Sequence, residues 1–423
     1  MGYLNDYIYY GSGTECPEIY LQWSGLSLLG AVLGRKIWTM HGGYFRVHPK
    51  LYVCLVGDAG SGKSTAKNQA KRFLRAVDPD YLVSASFQSH QDIIDKMATD
   101  PSAIKTWKDL TTGRIHEYRC FYGICNELAS LLSTDKKGMV EFLTDIFDDD
   151  EEFTTGFKGQ RLNQPERKQI VPFPYVSILA CAVPKWFMGS LKLDLFDGGL
   201  GRRLVVVYSN KTQLNDNPVI PPGGMEAMQR ALDHLRVCLS ERTQGELKKT
   251  TAAAKWWKEW YHDPKRFNLI DPILSQFDQT KHIMVLKVAS LLTMCEQPFT
   301  MQIEDVHLQA ALAMLDKLTP NVARLTAGVG RNELAGIGAQ LLEFVARTGG
   351  MQTEVNVKKA FWRYANDPEF AQILEHYKQQ GELVVDVRDH EGTKRMFYFT
   401  REGYEEYKKM EAAIIARKLA GRG

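Results

Sequence analysis

Residues 51–65 read LYVCLVGDAGSGKST: an apolar run, a glycine-rich turn, and the start of a helix-forming segment that continues to Val77. The turn fits the pattern GxxxxGK[ST], with Gly57, Gly62, Lys63 and Ser64 in the fixed places. A chance glycine turn between a strand and a helix would need neither the lysine nor the hydroxyl. A phosphate chain needs backbone N–H groups turned inward. Glycines permit that geometry, and a helix N-terminus adds positive dipole. The expected cradle is Gly57, Asp58, Ala59, Gly60, Ser61, Gly62, Lys63, Ser64 and Thr65, with ATP as its ligand. Lys63 is expected to reach the β- and γ-phosphates and Ser64 to hold Mg2+.

Apolar runs interleaved with helical patterns continue from this point, which predicts an α/β fold with a parallel sheet buried on both faces. Residues 17–38 read as an apolar helix opened by Pro17, followed by a Gly42-Gly43 turn and the strand-like YFRV. Further strands are expected at 81–86, 120–125, 175–183 and 204–208, with helices at 64–77, 88–99 and 128–147. The segment 153–170 reads as a polar, basic connection, and 211–223, ending NPVIPPGG, as a linker. The expected domains are an N-terminal helical extension (1–50), a P-loop ATPase core (51–210) and a helical lid-like domain (224–327). A winged-helix module (332–411) and a short basic tail (412–423) complete the chain. The winged reading rests on the order of three helices, LVVDV, a turn at 390–393, MFYFT and a last helix.

A second site element should be an apolar strand ending in an acidic residue. FYGICNEL puts Asn126 and Glu127 there. Glu127 is either the base that polarises the attacking water or a cap of the following helix. Asn126 stands where an aspartate usually steadies Mg2+ and can offer only a neutral carbonyl. The end of the 175–184 strand should sit between these two elements, where a polar sensor is expected; only Ser177, Cys181 and the AVP turn are available. In GGLGRRLVVVY, Arg202 is either a finger reaching the γ-phosphate of a neighbouring subunit or, with Arg203, half of a pair making ordinary salt bridges. Lys158, Arg161, Arg167 and Lys168 cluster in the basic connection and could follow a phosphate backbone or simply be solvated. In the C-terminal module the third helix carries Asp367, Glu369 and Glu375. DNA contact there falls to the wing, with Arg388, His390, Lys394 and Arg395, and protein docking is the rival. WWKEWY (256–261) reads as helix–helix core rather than a base-stacking surface.

Composition narrows the classes. Net charge is +3, so nucleic-acid binding has to come from local patches. Seven scattered cysteines without a CxxC pair read as buried thiols in a reducing compartment. With no signal-peptide pattern and no membrane-spanning run, the expected location is the cytoplasm.

Taken together, TECPEIYLQWSGLSLLGAVLGRKIW, LYVCLVGDAGSGKST, YGICNELASLL, PYVSILACAVPKW and GGLGRRLVVVY make residues 10–320 resemble phage- and plasmid-encoded P-loop ATPases of the primase–helicase type. The stretch around Arg202 is also similar to the Ser-Arg-Phe finger region of minichromosome-maintenance helicases, with Gly201 for Ser and Arg203 for Phe. The chain departs from that family at Asn126 and in lacking a polar sensor, and it carries no primase motif. The resemblance implies a ring-forming, hexameric ATPase of mobile-DNA replication, acting on single-stranded DNA beside a primase or another replication protein. A non-motor switch (an initiator or helicase loader) is the alternative, and a small-molecule kinase is disfavoured because it has no use for the helical region and winged module.

Overall fold

The computed structural model describes residues 2–84, 88–109, 112–132, 136–148, 152–156, 168–184, 199–209, 217–267, 272–320, 333–390 and 393–420. The chain divides into two units, Met1–Ala323 and Arg324–Gly423. The expected extension (1–50) and ATPase core (51–210) fall within the first unit, and the expected lid (224–327) runs four residues past its end at Ala323.

The first unit opens with helices α1 (Tyr3–Gly11) and α2 (Glu18–Leu33). Helix α2 is apolar nearly all round and is correspondingly buried, with Tyr20, Trp23, Leu26, Leu28 and Leu29 at its centre. Its serines are satisfied: Ser27 shares a 2.8 Å hydrogen bond with Tyr122 and Ser24 one of 3.2 Å with Tyr7. The sequence predicts this helix through Trp38, but it stops at Leu33. Gly34 adopts φ 61°, a left-handed stop that glycine tolerates, and Ile37–His41 then forms strand β1, paired with β2 (Phe45–Val47).

Strand β3 (Tyr52–Val56) leads into α3 (Lys63–Val77), and α4 (His90–Thr99) follows with a capping box built by Ser89 and Asp92. Next come β4 (Ile104–Lys108), β5 (Ile115–Cys125), α5 (Leu128–Leu132) and α6 (Lys136–Asp148). Helices α5 and α6 cover the described part of the one long helix expected at 128–147, and residues 133–135 of it lie outside the described residues. Strands β6 (Glu152–Gly156) and β7 (Lys168–Pro172) pair antiparallel, so the two ends of the expected basic connection are paired strands. Strands β8 (Pro174–Ala182) and β9 (Leu204–Tyr208) complete the central sheet, whose order is β4-β5-β8-β3-β9.

All neighbours in that sheet run parallel except β4 against β5. Strand β8 thus lies between β3 and β5, the position the sequence predicts for it. Every residue of β3, β8 and β9 is buried, as a parallel sheet covered on both faces requires. The strand expected at 81–86 is reduced, within the described residues, to a bridge at Val83 against Tyr122.

The rest of this unit is mainly helical: α7 (Gly224–Leu239), α8 (Thr251–Tyr261), α9 (Pro272–Glu296) and α10 (Asp305–Asp316). Helix α7 packs on α1, and α9 packs on α10 and touches α2. Two short parallel pairings fasten this region: β10 (Gly245–Glu246) on β1, and β11 (Lys248–Lys249) on β12 (Gln302–Ile303). The aromatic run on α8, expected to be core, forms a boundary layer. Only Ala253 of that helix is buried, while Trp256 stacks on Trp260 at 5.8 Å and both remain half-exposed.

The second unit orders α11 (Glu333–Arg347), β13 (Met351–Thr353), α12 (Glu354–Phe361), α13 (Asp367–Gln379), β14 (Leu383–His390), β15 (Thr393–Thr400) and α14 (Arg401–Ala420). Its sheet has the order β13-β15-β14, antiparallel throughout. Val345, Val357, Phe361, Phe370, Ile373 and Leu383 form the core beneath it. Strand β13 is additional to the sequence expectation. No described helix is long and apolar enough to cross a membrane.

Candidate functional site

The carboxyl ends of β3, β8 and β5 reach one edge of the sheet together, since Val56 pairs with Ala182 and Cys125 with Ala180. Clefts at that edge are where open α/β sheets bind ligands. Residues 57–62 lie there, between β3 and α3.

The loop's conformation depends on its glycines. Gly60 and Gly62 both have φ 81°, and Gly62 caps α3. A Cβ on Gly62 would stand 2.7 Å from Cα of Cys16, whereas one on Gly60 would meet nothing within 4 Å. Asp58, Ala59 and Gly60 are exposed, as are Ser64 and Thr65 in the first turn of α3. The first-turn N–H groups of a helix lack intrahelical acceptors, so this turn carries the positive end of the α3 dipole.

Lys63 is the first residue of α3 and is buried. Its ammonium donates to the carbonyls of Gly57 and Asp58, each at 2.6 Å, and to Ser61 Oγ at 3.2 Å. Burial lowers its pKa below the ordinary lysine value, an effect opposed by Cys181, Asp58, Cys54 and Glu127. Glu127 is thus close enough to the lysine to be felt. Its backbone carbonyl accepts from the N–H (3.1 Å) and hydroxyl (2.7 Å) of Ser130, so the main chain, not the carboxylate, closes the turn into α5.

Two residues at this edge were missed in the sequence. Lys67, one turn further along α3, is buried and donates to Oδ1 of Asn126. The clue was its i+4 spacing from Lys63, which puts both lysines on the face of α3 turned toward the sheet. Tyr20 of α2 donates to the carbonyls of Val56 (2.5 Å) and Ser209 (3.0 Å), tying the exits of β3 and β9 together behind the loop. Nothing local in the sequence marks that role. Of the sensor candidates, Ser177 is buried in mid-strand opposite Tyr122, away from the edge. Cys181 lies beside Lys63 and Lys67 with its thiol pushed up to about 11 by burial.

For Mg2+, the exposed Ser64 hydroxyl suits an ion that takes most of its oxygens from phosphates and water. Asn126 is less available, because its oxygen already accepts from an ammonium. Among the described residues no group of three or more His, Cys, Asp or Glu side chains converges on a metal position.

Arg202 and Arg203 lie in the turn before β9, and they separate. Arg203 is buried, donates to the Gly199 carbonyl at 2.6 Å, pairs with Asp148 and lies 5.9 Å from the Phe147 ring. Arg202 is half-exposed, and no carboxylate among the described residues pairs with its guanidinium. Tyr52, the first residue of β3, pairs with Leu204, so Arg202 stands at the amino edge of the sheet, opposite the loop.

The basic positions are only partly in view. Lys158, Arg161 and Arg167 lie outside the described residues, and Lys168 opens β7. On the C-terminal hairpin Arg395 is exposed, as is Lys394. Arg388 faces Arg395 across the strands but is committed elsewhere: it pairs with Asp386 (2.6 Å) and Glu411 (3.0 Å) and covers Tyr407 at 4.0 Å. No protein-family model matches the chain, and no curated protein matches it.

Proposed function

We propose that the chain is a P-loop ATPase that works as a ring-forming DNA helicase or translocase. The observation that carries this reading is the loop between β3 and α3, with a buried Lys63 at the head of the helix and Glu127 on the same sheet edge. The exposed N–H groups of the loop and first turn would bind the phosphates, with Lys63 as their side-chain cation. Mg2+, held by Ser64 and the phosphates, would neutralise charge on the β- and γ-oxygens. Glu127 would take a proton from a water whose oxygen attacks the γ-phosphorus. The bond from that phosphorus to the β–γ bridging oxygen breaks, releasing ADP and phosphate.

In this reading Arg202 acts on the loop of a neighbouring copy, which is why a ring, hexameric by resemblance, belongs to the proposal. The second unit would serve as a winged helix whose hairpin offers Arg395 to DNA. The purified chain is expected to hydrolyse ATP and displace a strand from a forked DNA, and Lys63→Ala to abolish both with the fold intact. Retained hydrolysis in Lys63→Ala would sink the site. One observation favours a second reading: Lys67 sits on Asn126, where a metal-steadying carboxylate would promote fast turnover. A slow switch of the initiator or loader kind would hydrolyse ATP without displacing the strand.

A further inference from the structure

Lys67 is buried on the sheet-facing side of α3, four residues beyond Lys63. No carboxylate among the described residues lies within ion-pair distance of it. Its acceptor is the neutral amide oxygen of Asn126. Lys63 likewise donates to the backbone carbonyls of Gly57 and Asp58 and to the Ser61 hydroxyl. Two buried ammonium groups, Lys63 and Lys67, therefore share this edge with mainly neutral partners. Burying a cation without an anion is costly, and an anion arriving from outside removes the cost.

In an ordinary site of the proposed kind, a carboxylate at position 126 would steady a divalent cation, and that cation would offset the phosphates' charge. Here the place belongs to an amide that holds an ammonium. A second cation brought to the same spot would be repelled by it. Resting on the nucleotide-binding reading above, we propose that Lys67, positioned by Asn126, is a built-in counter-cation for the bound phosphates and lets the site take its nucleotide without a divalent metal.

The test is equilibrium binding of a fluorescent ATP analogue to the full chain, in excess Mg2+ and in excess EDTA. The wild type is expected to bind nearly as tightly in EDTA as in Mg2+. Lys67→Met keeps the length of the side chain without its charge. In EDTA it should bind about 10-fold or more weaker than wild type, the size of a lost charge-assisted hydrogen bond, with Mg2+ restoring most of the loss. Lys67→Arg should retain binding in EDTA. A wild type that loses affinity in EDTA by the same factor as Lys67→Met overturns the proposal, as does a Lys67→Met that binds like wild type in EDTA. Should Lys67→Met fail to fold, the wild-type comparison decides alone, since strong metal dependence there is already contrary. Failure of the underlying reading looks different: wild type and Lys63→Ala would then be equally unable to bind in either buffer.

Discussion

Gly57 has no room for a side chain. A Cβ there would stand 2.4 Å from Tyr20 Oη, 2.6 Å from Ser61 Oγ and 2.8 Å from the Ser209 carbonyl. Two of those atoms belong to the hydrogen bond that ties β9 behind the loop, so they cannot yield separately. Gly57→Ala is therefore expected to cost about 1–3 kcal/mol, the usual range for an overpacked site. It should also weaken nucleotide binding, because Tyr20 must move away from the Val56 carbonyl. Thermal denaturation beside nucleotide titration checks both, and an unchanged melting temperature would mean that the contact relaxes freely. Glu127 calls for a different measurement. Its backbone closes the turn into α5, so Glu127→Gln should leave stability intact while slowing hydrolysis by about 10²–10⁴-fold, the range for a lost general base. Single-turnover rates on the folded variant decide it; near-normal rates would reduce Glu127 to a turn residue.

At the scale of elements, β1 brings His41 against α9 and the end of α8, where it lies 5.1 Å from His282 and 6.0 Å from Tyr261. His282 is held down to about 4 by burial first, then by His41 and by Arg266, which itself covers Tyr261 at 4.4 Å. The sign follows from linkage. A histidine with a depressed folded-state pKa is protonated first in the unfolded chain, so stability falls as pH drops from about 6.5 toward about 4. His282→Phe keeps a ring in place and should lose less stability across that window than wild type. A gap between the two melting curves that does not change with pH would refute the assignment. This cluster was not legible in the sequence, because its members come from segments about 200 residues apart and only the α8 aromatics form a run. The central strands were legible for the opposite reason: LYVCLV, YVSILACAV and LVVVY are continuous apolar runs that only a doubly covered sheet can bury. A boundary set by a single residue was missed. Gly34 ends α2 before a run that still looks helical. The phosphate loop could be read because its chemistry is contiguous. Lys67 on Asn126 could not, because the contact spans 59 residues and depends on strand order.

For the molecule as a whole, the sheet of the first unit holds two candidate groups apart. Lys63 follows the carboxyl end of β3, and Arg202 precedes β9, whose first residue pairs with the first residue of β3. Five residues of strand at about 3.3 Å each put roughly 16 Å between those edges. Arg202 is thus remote from the loop of its own chain, while Arg203 carries the local work through Asp148 and Gly199. A finger supplied by a neighbouring copy fits that separation, and it makes a prediction that no single-chain role shares. Arg202→Ala should bind ATP normally yet hydrolyse it on the order of 10³-fold more slowly, as loss of a finger does. Loss of a surface salt bridge, worth about 1 kcal/mol or less, would be far milder. Arg202→Ala is then mixed with Lys63→Ala, itself inactive. In a mixed ring, some interfaces join the intact loop of an Arg202→Ala subunit to the intact Arg202 of a Lys63→Ala subunit, and hydrolysis should return at those interfaces alone. The recovered rate should pass through a maximum near equal proportions and vanish at either extreme. Mixed oligomers confirmed by native mass, with no recovery at any ratio, would remove Arg202 from the reaction and leave it an ordinary surface arginine.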